Sequence, residues 1–568
     1  MRRWISVFVV ASLLTLAVAG CAGGKQQQPQ QQPGQQQAQQ QPEQPKEQVV
    51  RFNNGTEPET IDPGLSTGIP EANVENHLFE GLMRLDAESK PVPGMAERYE
   101  VKDNGTTYVF YLRDAKWSNG DPVTAHDFVY AWQRVLDPYT ASEYAYQLYY
   151  VKGAEKLNTV PLKDKDGKDR PEADVKKDIE AAKAELGVKA LDDKTLEVKL
   201  EAPTPYFLSV AAFHTLFPVN KKAVESGPDW FRKPETIVTN GPYLLKEWKP
   251  KEKIVLVKNP NYWAANEVKI DRLEFYPVEE ASTALTMYES DQMDVLDDVP
   301  VAEMDRLKKE KAGELMIRPY LGTYYYLFNT TKKPLDDPRV RKALSLAIDR
   351  NAIVTQITKA GQIPALAYVP PGIPDVQGDF RKNGGDYLKD NDVETAKKLL
   401  AEAGYPDGKG FPKLTILYNT SESHKAIAEA IQEMWKKNLG IEVNLTNQEW
   451  QVYLDTRTKL GYDIARAGWI GDYVDPMTFI DMFTSTSGNN DTGWKNPQFD
   501  DLVKRAKATG DQATRMQLMH EAEKLLMDQA VVMPIYFYVE VDLQKPKLKN
   551  VIVHLVGGHD FSRAYWEK

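Results

Sequence analysis

The run from Glu449 to Pro476, EWQVYLDTRTKLGYDIARAGWIGDYVDP, holds two Trp, two Arg and four Asp among its tyrosines. Guanidiniums and carboxylates recognise opposite charge through short, charge-assisted hydrogen bonds. Flat aromatic rings offer apolar walls with polar edges. Together they suit a ligand with separated opposite charges and variable side chains, and a peptide with free termini is such a ligand. The bland alternatives are a turn aspartate at Asp472, a solvated face for Arg457 and Arg466, and core packing for Trp450.

Catalytic and metal chemistry find less support. His520-Glu521 begins a helical zinc motif, but the second histidine would fall at Lys524. The DKDG loop fails as a calcium site, because Leu162 and Ala173 would occupy its first and twelfth positions, so a solvated hairpin tip is expected. Seven scattered histidines offer no ligand spacing, and the sequence has no phosphate loop. No enzyme activity, cofactor or metal is therefore expected.

The elements that position these groups read most clearly in the C-terminal half. Leu414–Tyr418, Ile441–Leu445 and Tyr462–Gly468 are expected strands. Between them lie helices over Ser423–Asn438, with Ile427, Ile431, Met434 and Trp435 on one face, and over Trp450–Lys459. That order predicts a β-α-β-α-β lobe with parallel pairing. His424, Trp450 and Asp472 then follow the carboxyl ends of the strands, where open α/β sheets bind ligands. Arg466 and Trp469 differ in parity, so the third strand is expected to end or twist near Gly468.

Elsewhere Tyr108–Leu112, Leu196–Leu200, Ile254–Val257 and Leu273–Tyr276 read as strands, and Thr124–Leu136 as a helix. Asp337-Pro338 supplies an N-cap and a first-turn proline. Gly68-Ile69-Pro70-Glu71 reads as an extended edge segment, followed by a helix over Asn73–Leu82.

The 568 residues allow several domains, and a net charge of −11 argues against a nucleic-acid partner. Arg2, Arg3 and an apolar run to Val18 form a leader too short for a clear membrane span. Val18-Ala19-Gly20-Cys21 resembles a bacterial lipobox, which implies a lipid anchor at Cys21. That cysteine is the single one in the chain, so no disulfide can form within it. The Gln/Pro-rich stretch up to residue 48 reads as a flexible tether.

The motifs NGTEPETIDP, GDPVTAHDFVYAWQRVLDP, IVTNGPY, PYLGTYYY, DPRVRKALSLAIDR and NQEWQVYLDTRTKLGYDIARAGW make the chain resemble the oligopeptide-binding proteins of peptide ABC importers, bacterial extracellular solute-binding family 5. The resemblance runs from about Arg51 to Val541. It implies an α/β, two-lobe periplasmic-binding-protein-like fold (type II, cluster C) with an extra inserted domain. Lobe I would comprise 49–79, 222–321 and 540–568, the inserted domain 80–221, and lobe III 322–539.

The resemblance also implies roles. Asp472 would bind the peptide α-ammonium, and Arg466 and His424 its carboxylate, with Arg457 nearby. Trp450, Trp469 and Tyr144 would wall side-chain pockets. Gly68, Ile69, Gly468 and Ile470 would offer main-chain hydrogen bonds. The family's cysteine pair falls on Gly322 and Ile470, and its carboxylate-binding lysine on Thr358 beside Lys359. The expected partners are short peptides and the permease and ATPase subunits of an importer, for a monomer lipid-anchored outside the cell membrane. A murein peptide, signalling peptide, glutathione, metal chelate or sugar is the alternative ligand.

Overall fold

A computed structural model describes residues 47–568. The leader, Cys21 and all but two residues of the expected tether lie outside the described residues. Ten strands, labelled in chain order, form the path of one large mixed sheet. They are β1 (Val49–Asn53), β2 (Tyr243–Lys249), β3 (Lys253–Lys258), β4 (Arg272–Tyr276), β5 (Val295–Asp297), β6 (Leu315–Phe328), β7 (Leu414–Asn419), β8 (Val443–Gln448), β9 (Ile464–Ile470) and β10 (Val532–Gln544). Their spatial order is β8-β7-β9-β6-β10-β5-β1-β4-β3-β2, and Ile363–Pro364 adds a short pairing to β10.

The expected β-α-β-α-β order is present: β7 pairs in parallel with both β8 and β9. The two helices between these strands span Glu422–Leu439 and Trp450–Thr458. Ser421 caps the first through the amide of His424, and Gly440, at φ 69°, ends it in the left-handed region. Ile427, Ile431 and Trp435 are buried against the sheet. Of the two expectations for Gly468, the strand's ending there is not met, because β9 runs on to Ile470. It stays paired with β6 through Gly322 and Ile470, so strict alternation holds and Arg466 and Trp469 point to opposite faces.

β6 and β10 carry the sheet from one half to the other, over 14 and 13 residues. Their register breaks twice, at Pro319/Thr323 and again at Tyr324/Tyr325, and the first break is the larger. Pro319 faces Val539 while Thr323 faces Phe537, so three residues of β6 oppose one of β10. Pro319 has no N–H to give the ladder. The Leu321 amide donates to Leu555 O (2.8 Å), and its carbonyl accepts from Gly471 N (2.8 Å). This bulge bends both strands where the two halves meet.

Residues 96–199 add a four-stranded antiparallel sheet in the order Ala96–Lys102, Thr107–Leu112, Thr195–Lys199, Val188–Asp192. A helix over Ala125–Leu136 accompanies it; Asp127 accepts from the Thr124 amide at 2.8 Å, a capping-box contact. The Asp164–Lys168 tip is an exposed turn, as expected of DKDG. Asp337 caps the Pro338–Leu346 helix.

The Gly68–Glu71 expectation is overturned. Gly68 is the N-cap of a helix over Ile69–Leu78, with Pro70 in its first turn. Proline lacks the N–H that a first turn leaves unpaired in any case, so it suits a helix start as well as a sheet edge. Pattern alone could not separate the two.

Arg350, fully buried, ties the second irregularity of β10 to the helical layer. It donates to Pro534 O (2.7 Å) and to Ser345 O and Oγ (3.0 Å each), with Asp390 at 3.4 Å. Arg350→Met would fill the space but leave those carbonyls unpaired. A loss of about 3 kcal/mol is expected from urea unfolding; a loss under about 1 kcal/mol would show that Arg350 is replaceable.

Candidate functional site

The two halves of the sheet and the inserted segment surround a cavity of about 470 Å³. All eleven residues singled out as ligand contacts line it: Gly68, Ile69, Tyr144, His424, Trp450, Arg457, Arg466, Gly468, Trp469, Ile470 and Asp472. They come from the first helix, from the loop after Thr140 and from the carboxyl ends of β7, β8 and β9. Long-range folding places them together.

Asp472 lies just past β9 and is 8% exposed. Its carboxyl accepts from Tyr144 Oη (3.1 Å), Gln147 Nε2 (2.5 Å) and Thr478 Oγ1 (3.0 Å). Among the described residues it has no cationic partner within ion-pair distance. Burial pushes this carboxyl well above the usual range, and Asp481 adds to the effect; the three hydrogen bonds oppose it. An acid buried with donors but no counter-charge is costly to ionise.

Arg466 presents the opposite charge. Its guanidinium donates to Tyr538 Oη (2.6 Å) and Asn419 Oδ1 (3.3 Å), and its Cζ sits 4.6 Å from the Tyr324 ring centroid. Nε is buried without a partner, and no described carboxylate lies within 4 Å. Gly468 makes this arrangement possible, because a Cβ there would stand 2.5 Å from Tyr538 Oη and 3.1 Å from Arg466 Nη2. His424, in the first turn of its helix, places Nδ1 3.3 Å from Tyr324 Oη. Burial, then Arg466, lowers its imidazole well below the ordinary histidine range, so it stays neutral.

Arg457 lines the cavity nearby, as expected, but it carries an ionic partner. Its Nε is bound to Asp491 (2.6 Å), so the charge is already paired and Arg457 braces the wall. The amine of Lys359, beside Thr358, is likewise taken by Asp305 (2.7 Å). Thr358 itself lines the cavity and donates to Gln362 Oε1 (2.8 Å).

The walls bridge distant segments. Trp450 Nε1 donates to Glu71 Oε1 (3.3 Å), and Gln451 Nε2 to Pro58 O (3.1 Å). Trp469 stands 6.0 Å from Tyr144, ring to ring. Tyr206 stacks on Tyr473 at 5.1 Å, and Tyr150 Oη lies 3.0 Å from Tyr473 Oη.

Sequence reasoning missed Gln147, Thr478, Tyr324 and Tyr538. The two tyrosines lie on long strands where alternation beside Arg466 was a usable signal. Gln147 sits 325 residues from its partner, and nothing local marks it.

Gly64-Leu65-Ser66-Thr67-Gly68 also has the spacing of a hydrolase nucleophile turn. Its setting is wrong for that chemistry. Ser66 lies in a loop, and its hydroxyl donates to Glu75 Oε2 (2.8 Å), a carboxyl that burial holds well above its usual range. His214 bonds the backbone of Ser66, not its hydroxyl.

Fold and site together define a two-lobe solute-binding architecture that encloses a charged cleft. The chain belongs to the bacterial extracellular solute-binding proteins, family 5, whose model matches residues 90–491. It is 39% identical to the oligopeptide-binding protein OppA of Bacillus subtilis, over 100% of both chains. Among solved structures, the Escherichia coli murein tripeptide binding protein MppA gives a TM-score of 0.83 at 36% identity, covering 92% of this chain and 99% of that one. Haemophilus influenzae OppA, in complex with RPPGFSPFR, gives 0.81 at 37% identity over 92% and 99%. The unliganded open form of MppA gives 0.59, so the arrangement here is unlike that open form.

A carboxyl raised in the native state ionises more readily in the unfolded chain, so it costs native stability as pH rises from the ordinary carboxylate range toward its native value. Ligand-free Asp472→Asn is therefore expected to gain stability over the parent, more at pH 8 than at pH 5. Equal differences in thermal melts at the two pH values would rule out a buried, uncompensated carboxyl.

Proposed function

We propose that this protein is an extracytoplasmic receptor that captures short oligopeptides between its lobes and delivers them to an ABC import permease. The observation that carries this is the separated pair: a buried carboxyl at Asp472 and a half-buried guanidinium at Arg466, neither with an ionic partner among the described residues, lining one cavity. A peptide supplies the ammonium for one and the carboxylate for the other. The neutral His424 stands ready beside Arg466 as a further hydrogen-bonding group. Relatives named for oligopeptide binding, and one solved with a peptide, support the same reading.

Binding would proceed by hinge closure about the β6–β10 bulge, with lobe boundaries near 322 and 540. The remaining boundaries, near 80 and 222, would lie either side of the segment that carries the second sheet. Tyr144 and Gln147 reach Asp472 from that segment, and Trp450 reaches Glu71. The ammonium and the pocket walls are thereby coupled to closure. Lipidation at Cys21 would hold the receptor outside the cell membrane as a monomer on its tether. Its partners would be the permease and ATPase of the importer, and it performs no catalysis. A second reading, a murein tripeptide, draws on the likeness to MppA.

The test is native mass spectrometry of the chain from Glu47 onward, which forms one compact unit, after expression in a bacterial cytoplasm. A ladder of added masses matching short peptides is expected, and Asp472→Ala should lose most of it. A single dominant mass would mean a dedicated ligand. A bare protein that also ignores added tri- to pentapeptides would sink the peptide reading.

A further inference from the structure

Side chains of β10 alternate between faces, which puts Tyr536, Tyr538, Glu540 and Asp542 on one side. The four have very different partners. Tyr538 receives the Arg466 hydrogen bond, and Asp542 is neutralised by Arg318 and by His559 Nε2 at 3.1 Å. Glu540, between them, is only 7% exposed and lines the cavity. No described Lys, Arg or His lies within ion-pair distance of it. Its side-chain hydrogen bond is to another acid, Asp297.

Asp298 extends the same wall. It holds a left-handed φ of 60°, which costs a non-glycine residue energy. Its carboxyl opens into the cavity without a hydrogen bond or ion pair among the described residues. The residue is exposed to that space; desolvation by the surrounding protein, then Asp297, raise its carboxyl to about 7, with Arg466 opposing. Tyr320 and Tyr538 flank the acids with ring centroids 5.9 Å apart. Val299 and Met304 complete an apolar lining.

Glu540 and Asp298 thus face one cavity without an ion pair among the described residues. We infer that Asp298 and Glu540, walled by Tyr320 and Tyr538, form a subsite for a cationic side chain, lysine or arginine, of the bound peptide. This rests on the peptide reading above. A cation in this position would pair with the carboxylates and lie against ring faces, both favourable once water is excluded. A side chain suits the place better than a metal ion. Glu540, Asp542 and His559 do bring ligand atoms within 4.8 Å of one another, but Asp542 and His559 are already bonded to each other and Asp542 to Arg318.

The position along the peptide follows from the strand. Glu540 stands two residues beyond Tyr538, roughly 7 Å along β10, about the reach of a lysine side chain. Tyr538 holds Arg466, so the subsite serves the residue whose carboxylate Arg466 binds. The cation belongs in the last position of the peptide.

The test is calorimetric titration of the chain from Glu47 onward with Ala-Ala-Lys, Ala-Ala-norleucine and Ala-Ala-Glu. The lysine peptide is expected to bind at least tenfold more tightly than its norleucine counterpart, with the glutamate peptide weakest. In the Asp298→Asn/Glu540→Gln double variant the lysine-to-norleucine ratio should fall to about one, a readout that a general loss of affinity cannot mimic. Equal binding of the two peptides to the parent, or a ratio that survives the double substitution, would overturn the subsite. So would tight binding of Mn²⁺ or Zn²⁺ that Glu540→Gln removes. If none of the three peptides binds, the peptide reading itself fails and the subsite falls with it.

Discussion

A buried carboxyl and a half-buried guanidinium line one cleft, and neither is satisfied by the other. Most of the structure can be derived from that constraint. Isolated charges cost several kcal/mol each when taken out of water, so Asp472 and Arg466 are tolerated only because neutral groups crowd around them. Tyr144, Gln147 and Thr478 surround the acid, while Tyr538, Asn419 and the Tyr324 ring surround the base. These neutral partners orient each charge without cancelling it. Elsewhere the protein does cancel charge, as at Arg457 with Asp491 and Arg515 with Asp475.

The sheet serves the same end. β9 delivers Arg466, Gly468 and Ile470 on one face and Trp469 on the other, so one strand supplies both the charge and an aromatic wall. β6 and β10 supply the tyrosines and also cross between the halves. Their mid-length bulge is therefore both a bend in the sheet and a neighbour of the ligand groups. A movement there changes the distance between Asp472's partners in the inserted segment and Arg466's partners on β10. Site and bend are one piece of backbone, which gives ligand contact a direct mechanical route to lobe position.

The cavity's character is set by what is absent from particular positions. Lys359 turns outward to Asp305, and Thr358 faces inward, so this part of the wall carries no cation. Asp298 and Glu540 face the same space. The cleft is thus strongly polarised: acids lie at Asp472 and at the β5–β10 end, with Arg466 between them as its one unpaired guanidinium among the described residues.

Much of this was written locally. The β-α-β-α-β lobe follows from a switch between strand and helix periods around Leu414–Ile470, together with caps at Ser421 and Gly440 that depend only on neighbours. Asp337-Pro338 and Thr124–Asp127 were legible for the same reason. The Gly68–Glu71 turn was not, because a first-turn proline and an edge proline obey one steric rule. The length of β9 was not either, since only pairing to Gly322 on β6 keeps it extended past Gly468. By itself, then, the sequence determined which segments are strands and helices, and which residue types could bind separated charges. Only the tertiary structure decided which charges remain unpaired. Arg457 and Arg466 look alike in sequence, yet one meets Asp491 and the other meets tyrosines. Electrostatic pairing depends on distances of a few ångströms between residues tens to hundreds of positions apart, and no local pattern encodes them.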